Sequence, residues 1–545
     1  MLKHYKPWPE KLKTHYKEMG CWEDKTFGQM LSDRASIYGN RTAIVDHQSR
    51  VTYKELDNRV NKLAAGLQRI GLSREDRVVV QLPNTLDFIE VIFALFRLGA
   101  IPVFSLLSHR DSEIRYFCEF SEAKAYIIPG DGYGYGFKQL AKTIQTDVTS
   151  VNTIIVADED GGDFYSLNDL YENETALPDI KADDVAFFQL SGGSTGLPKM
   201  IARTHNEYMY SLRMSADVCQ LDETSVYLAV LPAAHNYPLS SPGVLGTMYA
   251  GGRVVLSKGA SPDEAFPLIE QERVTITAIV PPLALIWLEA VPTRHYDLSS
   301  LRVLQVGGSK LSAEAAKKVT PVFGCTLQQV YGMAEGLVNY TRLNDSDDVI
   351  IQTQGKPMSV YDDIRVVDEE DNEVAQGEIG ELLTRGPYTI RGYYKAEEHN
   401  EKAFTADGYY RTGDLVRVSE DGYITVIDRV KDQINRAGEK IAAEEVENYL
   451  LAHPAVRDVA IVAMPDKWLG EKSCAFVISR DHDLKATDLI AFLRTEGLAD
   501  YKIPDRIEWM ANFPKTAIGK VNKKELRRLI KVKLNDRDQS NVMKK

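Results

Sequence analysis

Apolar residues recur along this chain in two alternating periods, and the alternation predicts its architecture. From Thr52 onward, Leu56, Val60, Leu63, Leu67 and Ile70 form one apolar stripe at helical spacing. The capping-box pattern Thr52-Tyr53-Lys54-Glu55 opens this helix and Gly71 ends it. The short apolar run Arg77–Leu82 that follows reads as a strand. The pattern recurs at Phe88–Leu98 and through Asp263–Val280, which predicts layered α/β with substantial parallel sheet. Beyond the charged run Asp428–Asp432 the order of elements changes. A helix over about 443–451 precedes strand-like runs at Val456–Met464 and Ser473–Ser479, and a second helix covers 487–496. The expected organisation is therefore a large α/β domain of several subdomains over 1–430 and a small α+β domain over 431–545.

Composition and charge narrow the picture in three ways. The longest apolar stretch, Phe88–Phe104, contains Glu90 and Arg97, which argues against a membrane span, and Met1–Pro9 lacks a signal-peptide core. Five scattered cysteines (Cys21, Cys118, Cys219, Cys325, Cys474), with no C-x-x-C spacing, suit neither a disulfide framework nor a zinc site. A reducing cytoplasm is the expected location. The net charge of −13 is unevenly spread, since residues 515–545 hold eleven Lys or Arg against three Asp or Glu. No aromatic-interleaved basic motif accompanies this tail, so nucleic acid is not expected as a partner. It reads either as a solvated helix or as a docking surface for an acidic protein.

The candidate chemistry begins at Leu190-Ser191-Gly192-Gly193-Ser194-Thr195-Gly196-Leu197-Pro198-Lys199. Glycines let backbone N–H groups converge on an anion, hydroxyls add donors and the lysine adds charge, so the segment suits a polyphosphate. It is not a Walker loop, because Leu197 stands where the second glycine would be required. Further motifs follow in order: Gly307-Gly308-Ser309, Tyr331-Gly332-Met333-Ala334-Glu335, Gly377–Glu381, Tyr410-Arg411-Thr412-Gly413-Asp414, Asp428–Asp432, Gly438-Glu439-Lys440 and Pro514–Lys520. Together they resemble the adenylate-forming superfamily over nearly the whole chain.

That resemblance implies ATP and Mg²⁺ as co-substrate and cofactor, and a small C-terminal domain that moves about a hinge near Lys431. Ser191, Gly192, Gly193, Ser194, Thr195, Gly196 and Lys199 would hold the phosphates. Tyr331 would stack on the adenine with Gly307, Gly308 and Ser309 lining its other side, and Val330, Gly332 and Met333 would also bind the nucleotide. Asp414, assisted by Arg429, would bind the ribose, and Glu335 would ligate the metal. Lys520 would align the substrate carboxylate with the α-phosphoryl group, a task that suits a compact charge on a long stem. Lys520 and His235 are the candidate catalytic side chains, and Gly438 would reach the site in a second domain orientation.

The run Leu231–Gly243 departs from fatty acyl-CoA ligases and resembles the aryl-acid adenylating enzymes of siderophore assembly, most closely those that take 2,3-dihydroxybenzoate. In those enzymes the asparagine at the position of Asn236 bonds the ortho hydroxyl, and the serine at the position of Ser241 lies by the 3-position. Tyr237, Gly308 and Val338 would complete the aryl pocket with His235. A pocket built to bond a hydroxyl rejects analogues that lack it. The acceptor implied is the phosphopantetheine thiol of an aryl carrier domain, expected on a separate chain because no carrier motif follows Lys545. Salicylate as the acid, free coenzyme A as the acceptor, and a non-catalytic nucleotide-binding role are the alternatives.

Overall fold

The computed structural model describes residues 2–542 except 48, 158–159, 174, 192–197, 309, 312, 369, 430–433, 442, 482, 515–520 and 522. The described residues divide into two compact units. One comprises those of Met1–Leu107, Ile114–Ser191 and Lys199–Asp428. The other consists chiefly of residues from Arg429 onward and takes in Ser108–Glu113.

In the large unit, the helix expected from Thr52 spans Tyr53–Arg69. Both halves of its capping box form, between the Thr52 side chain and Glu55 N–H and between the Glu55 side chain and Thr52 N–H. The stripe Leu56, Val60, Leu63 and Leu67 is fully buried. This helix packs on Leu86–Leu98, of which every residue but Asp87 is buried. Glu90 and Arg97, the two charges in that apolar run, do not face water. Glu90 accepts from Arg59 and Tyr171, while Arg97 pairs with Asp57 and donates to Ser32 Oγ at 3.0 Å. A helix apolar on all sides is thus a core helix with its charges internally matched. No described helix is long and apolar enough to cross a membrane.

Two large sheets organise this unit among the described residues. The first runs parallel through Tyr165–Ser166, Thr153–Val156, Ala125–Ile128, Arg77–Val80, Ile101–Phe104 and Val185–Ser191. It ends on the antiparallel strand Lys199–Thr204, with Ser191 opposite Lys199. The second has a parallel centre in the order Thr326–Met333, Val303–Gly307, Ile276–Ile279, Val226–Ala229, Arg253–Leu256 and Thr42–Asp46. Its edges are antiparallel: Ser49–Thr52 at one side, Gly336–Tyr340 and then Lys356–Pro357 at the other. Parallel strands covered on both faces read as continuous apolar runs, which is why Arg77–Val80 was legible as a strand.

A further sheet of Asp363–Val367, Ile379–Arg385, Tyr410–Val418 and Ile424–Arg429 was not anticipated from periodicity. Its Leu382, Val416 and Ile424 pack with Leu337, and Tyr331 lies against them. That contact brings the Thr412–Asp414 motif to the hairpin carrying Tyr331.

The small unit follows the expected order closely. The helices span Ala443–Leu451 and Ala486–Thr495, and the strands Val456–Asp466 and Gly470–Ser479 pair antiparallel. Val446, Leu450, Ile461, Val477, Leu489 and Leu493 share one core, and Leu526 and Ile530 of the helix Lys523–Val542 fill a second. The basic tail is partly neutralised within this unit: Lys523 pairs with Glu447 at 2.7 Å, Arg528 with Glu525 at 2.7 Å, and Lys533 with Glu508.

Candidate active site

Several of the described candidate residues stand on or beside one hairpin. Strands Thr326–Met333 and Gly336–Tyr340 are joined by the turn Ala334-Glu335 and place Tyr331 opposite Asn339 and Gly332 opposite Val338. Gly336 turns the chain with φ +128°, and a Cβ there would come within 2.5 Å of Thr389 Cα, so glycine is required twice over. Glu335 therefore sits in a tight turn and is only 3% exposed. Its Oε1 accepts from the Tyr393 phenol at 2.7 Å, and Tyr393 and Tyr410 share a 2.9 Å hydrogen bond. The Glu335 carbonyl accepts from Ile390 N at 2.8 Å. Burial, reinforced by the Glu335 charge, raises the Tyr393 pKa well above the usual phenol value, so Tyr393 stays a proton donor. Lys199 Nζ lies 5.0 Å from the centre of the Tyr393 ring.

Arg203, on the strand Lys199–Thr204, supports the same turn from behind. Its guanidinium donates to Ala334 O at 2.5 Å and to Tyr388 O at 2.9 Å, and stands 3.2 Å from Glu207. Both charged side chains are 1–2% exposed. Burial pushes the Glu207 pKa up to about 7 even though Arg203 and the Thr204 N–H pull it down.

Of the residues expected to hold the nucleotide, Tyr331 and Asp414 are brought into direct contact: the Tyr331 phenol donates to Asp414 Oδ2 at 2.8 Å. Asp414 is 5% exposed, and its N–H donates to Thr412 Oγ1 at 3.1 Å. Asn339 Nδ2 in turn donates to Tyr331 O at 3.0 Å. Ser191 and Lys199 end the two strands that flank 192–197. Gly192, Gly193, Ser194, Thr195, Gly196, Ser309, Lys431 and Lys520 lie outside the described residues, as does the side chain of Arg429.

Of the segments expected to hold the acid, the short helix Asn236–Ser240 starts at His235, whose Nδ1 accepts from Tyr237 N at 3.3 Å. His235 thus has a capping role, with its ring exposed. Tyr237 is buried against Gly307. A Cβ on Gly307 would lie 2.9 Å from Tyr237 Cζ and 2.7 Å from Val330 O, so only glycine admits the ring. The Tyr237 hydroxyl has no hydrogen-bond partner among the described residues. Ser241 is 3% exposed, and the buried Tyr340 phenol donates to Ser215 Oγ at 2.9 Å. Gly307 pairs with Val330 and Tyr340 also pairs with Val330, so Tyr237, packed on Gly307, lies beside the hairpin that bears Val338.

Sequence reasoning missed Arg203, Tyr208, Tyr340 and Tyr393. Arg203 had one signal, a charge within the apolar strand run Met200-Ile201-Ala202. The three tyrosines had none, because their hydroxyls act across segments far apart in the chain.

A family model described as AMP-binding enzyme matches residues 31–394, and one described as AMP-binding enzyme C-terminal domain matches 445–520. The chain is 62% identical, over 98% of its length and 99% of the relative's, to 2,3-dihydroxybenzoate-AMP ligase of Bacillus subtilis. It is 49% identical to the vibriobactin-specific 2,3-dihydroxybenzoate-AMP ligase of Vibrio cholerae, covering 97% of this chain and 98% of that protein. Among solved structures, apo MbtA of Mycobacterium smegmatis aligns with a TM-score of 0.75 and 41% identity over 96% of this chain and 98% of that one. With both family models matching in the expected order, and an adenylate-forming fold whose large and small domains correspond, the chain belongs to the AMP-binding enzyme family.

Proposed function

We propose that this enzyme joins 2,3-dihydroxybenzoate to ATP, releasing pyrophosphate. It then passes the aryl group to the phosphopantetheine thiol of an aryl carrier domain on a separate chain, in catecholate siderophore synthesis. The observation that carries this reading is the packing of Tyr237 against Gly307, on the short helix that also bears Asn236, beside the strand that pairs with the hairpin bearing Tyr331 and Glu335. An apolar wall of Tyr237, Gly308 and Val338 with one amide, Asn236, and one hydroxyl, Ser241, would suit a planar hydroxylated aryl acid. The 62% identity to a relative named for that acid points the same way.

In the first step a carboxylate oxygen attacks the α-phosphorus, the bond to the bridging oxygen breaks, and pyrophosphate leaves with the electron pair. In the second, the carrier thiolate attacks the acyl carbon and AMP leaves. Asn236 would meet the ortho oxygen and Ser241 the 3-position, with Tyr237, Gly308 and Val338 forming the walls and His235 at the mouth. Tyr331 would stack on the adenine between Val330 and Met333 while its phenol steadies Asp414 for the ribose, with Arg429 assisting. Residues 191–199 would hold the phosphates and Lys520 the reacting carboxylate. We assign 1–430 and 431–545 as the working domains, hinged near Lys431.

The donor set suits Mg²⁺. No group of three or more His, Cys, Asp or Glu side chains among the described residues could hold a metal, but a single buried carboxylate oriented by a phenol can supply one hard oxygen. Mg²⁺ takes its remaining positions from phosphates and water, so Glu335 would suffice as the protein ligand. When bound, the ion would offset phosphate charge. The five cysteines are free and buried, which agrees with residence in a reducing cytoplasm.

Acid-dependent ATP–pyrophosphate exchange tests the substrate. We expect 2,3-dihydroxybenzoate to drive exchange best, salicylate less, and benzoate or a medium-chain fatty acid little. Stronger exchange with another acid would overturn the substrate, and none with any acid would overturn the activity.

The acceptor needs its own assay. Thioester yield should be high with a holo aryl carrier domain and low with coenzyme A, and reversing charge at Lys524 and Arg527 should slow loading without slowing exchange. Equal yields would indicate an aryl-CoA ligase.

A further inference from the structure

Tyr208 stands on the helix His205–Val218 and is 1% exposed. Its phenol oxygen lies 2.8 Å from Asn236 Oδ1 and 2.6 Å from Ser240 Oγ, and Ser240 Oγ is 3.1 Å from the Asn236 carbonyl. A carboxamide oxygen carries no proton, so in the first of these contacts the phenol is the donor; it is also the donor to Ser240 Oγ, whose own proton goes to the Asn236 carbonyl, so the one phenol proton is shared between Asn236 Oδ1 and Ser240 Oγ. The ring has little freedom to turn away. Phe187 meets it edge-on at 4.7 Å between centroids, Phe27 at 6.2 Å, and the Arg203 guanidinium sits 4.9 Å over it. With Oδ1 engaged, the edge of Asn236 left for a ligand is Nδ2, which bonds no described residue.

The chemistry of the ortho substituent gives this orientation a consequence. In a 2-hydroxybenzoate the neighbouring carboxylate holds the phenol proton, so the ortho oxygen turns its lone pairs outward and needs a donor. In a 2-aminobenzoate the nitrogen lone pair is delocalised into the ring, so the ortho group turns an N–H outward and needs an acceptor. An amide free to rotate by 180° could serve either. One whose oxygen is tied down serves only the first, and a wrong partner leaves two donors facing each other.

We infer that Tyr208 is a positioning residue that fixes the Asn236 amide with its NH₂ edge toward the acid, so that the pocket selects an ortho acceptor over an ortho donor. This rests on the placing of Asn236 in the acid pocket proposed above, and it adds how that residue is oriented and which acids are thereby refused.

The test compares kcat/KM for salicylate and 2-aminobenzoate in pyrophosphate exchange, for the unaltered chain, Tyr208→Phe, Asn236→Ala and the double variant. Phenylalanine keeps the ring contacts and deletes only the hydroxyl. Tyr208→Phe should lower the salicylate-to-aminobenzoate ratio by about tenfold, the size of one hydrogen bond exchanged for a mismatch. Adding it to Asn236→Ala should leave the ratio where Asn236→Ala put it. A folded Tyr208→Phe with the original ratio overturns the inference. A ratio unmoved by Asn236→Ala instead overturns the placing of Asn236. Binding of the two acids to the unaltered chain, measured by calorimetry without ATP, provides a check that needs no variant. Salicylate must bind more tightly, and equal binding overturns the inference.

Discussion

Glu335→Gln is expected to lower kcat/KM for MgATP in pyrophosphate exchange by about 100-fold, the scale of one removed charge-stabilising contact at a reacting phosphate. The substitution is nearly isosteric, and its amide oxygen can still accept from the Tyr393 phenol that now donates to Glu335 Oε1 at 2.7 Å. The turn held by Ile390 N–H and Arg203 should therefore persist while the charge is lost. The variant should need more Mg²⁺ to reach half its own maximal rate, whereas calorimetric binding of 2,3-dihydroxybenzoate without nucleotide should be unchanged. Exchange at the original rate with the original Mg²⁺ dependence would remove Glu335 from the metal site. A parallel loss of acid binding would mean that the turn itself had moved.

Arg203→Met should destabilise the large unit by about 3–5 kcal/mol, because removing one partner of a buried pair strands the other. Glu207, 1% exposed, would lose its cation, and the carbonyls of Ala334 and Tyr388 would lose their donors. The deficit should depend on pH with a definite sign. The Glu207 carboxyl is raised from 4.5 to about 7 in the folded chain, burial outweighing Arg203 and the Thr204 N–H. A group with a raised folded pKa contributes stability that is intact below its unfolded value and is lost as pH climbs through the folded one. Without Arg203 the folded value rises further. At pH 5 both chains carry a neutral Glu207, and the deficit shrinks to the lost hydrogen bonds, whereas at pH 8 it should be full. Denaturant midpoints at the two pH values would read this, and an equal deficit at both would show that the ion pair contributes nothing. Exchange should also slow, since the turn presenting Glu335 loses its support.

Much of the local structure was legible in the sequence because its causes lie within one turn of chain. The Thr52–Glu55 capping box needs only four consecutive residues, and it formed. The stripe from Leu56 to Leu67 needs only the helical period, and the small unit's helices and strands fell close to their expected bounds. The Gly307-Gly308-Ser309 motif was legible for a related reason: Gly307 marks a place where a Cβ cannot exist, and such a restriction survives in the sequence as a single letter. The four-stranded sheet over 363–429 escaped notice because its strands are only partly buried, so their alternation is weak.

The partners of the polar side chains belong to another level. Tyr208 reaches Asn236 across 28 residues, Glu335 reaches Tyr393 across 58, Tyr331 reaches Asp414 across 83, and Arg203 reaches Ala334 across 131. Hydrophobic period reports which face of an element is buried, and that depends on backbone geometry a few residues long. Which hydroxyl meets which carboxylate depends on strand order, and strand order is set by how whole sheets and helices bury their faces together. The residue types needed for adenylation were therefore readable along the chain. The orientation of Asn236, the pairing of Tyr331 with Asp414 and the support behind Glu335 arise only once burial has removed water as their alternative partner.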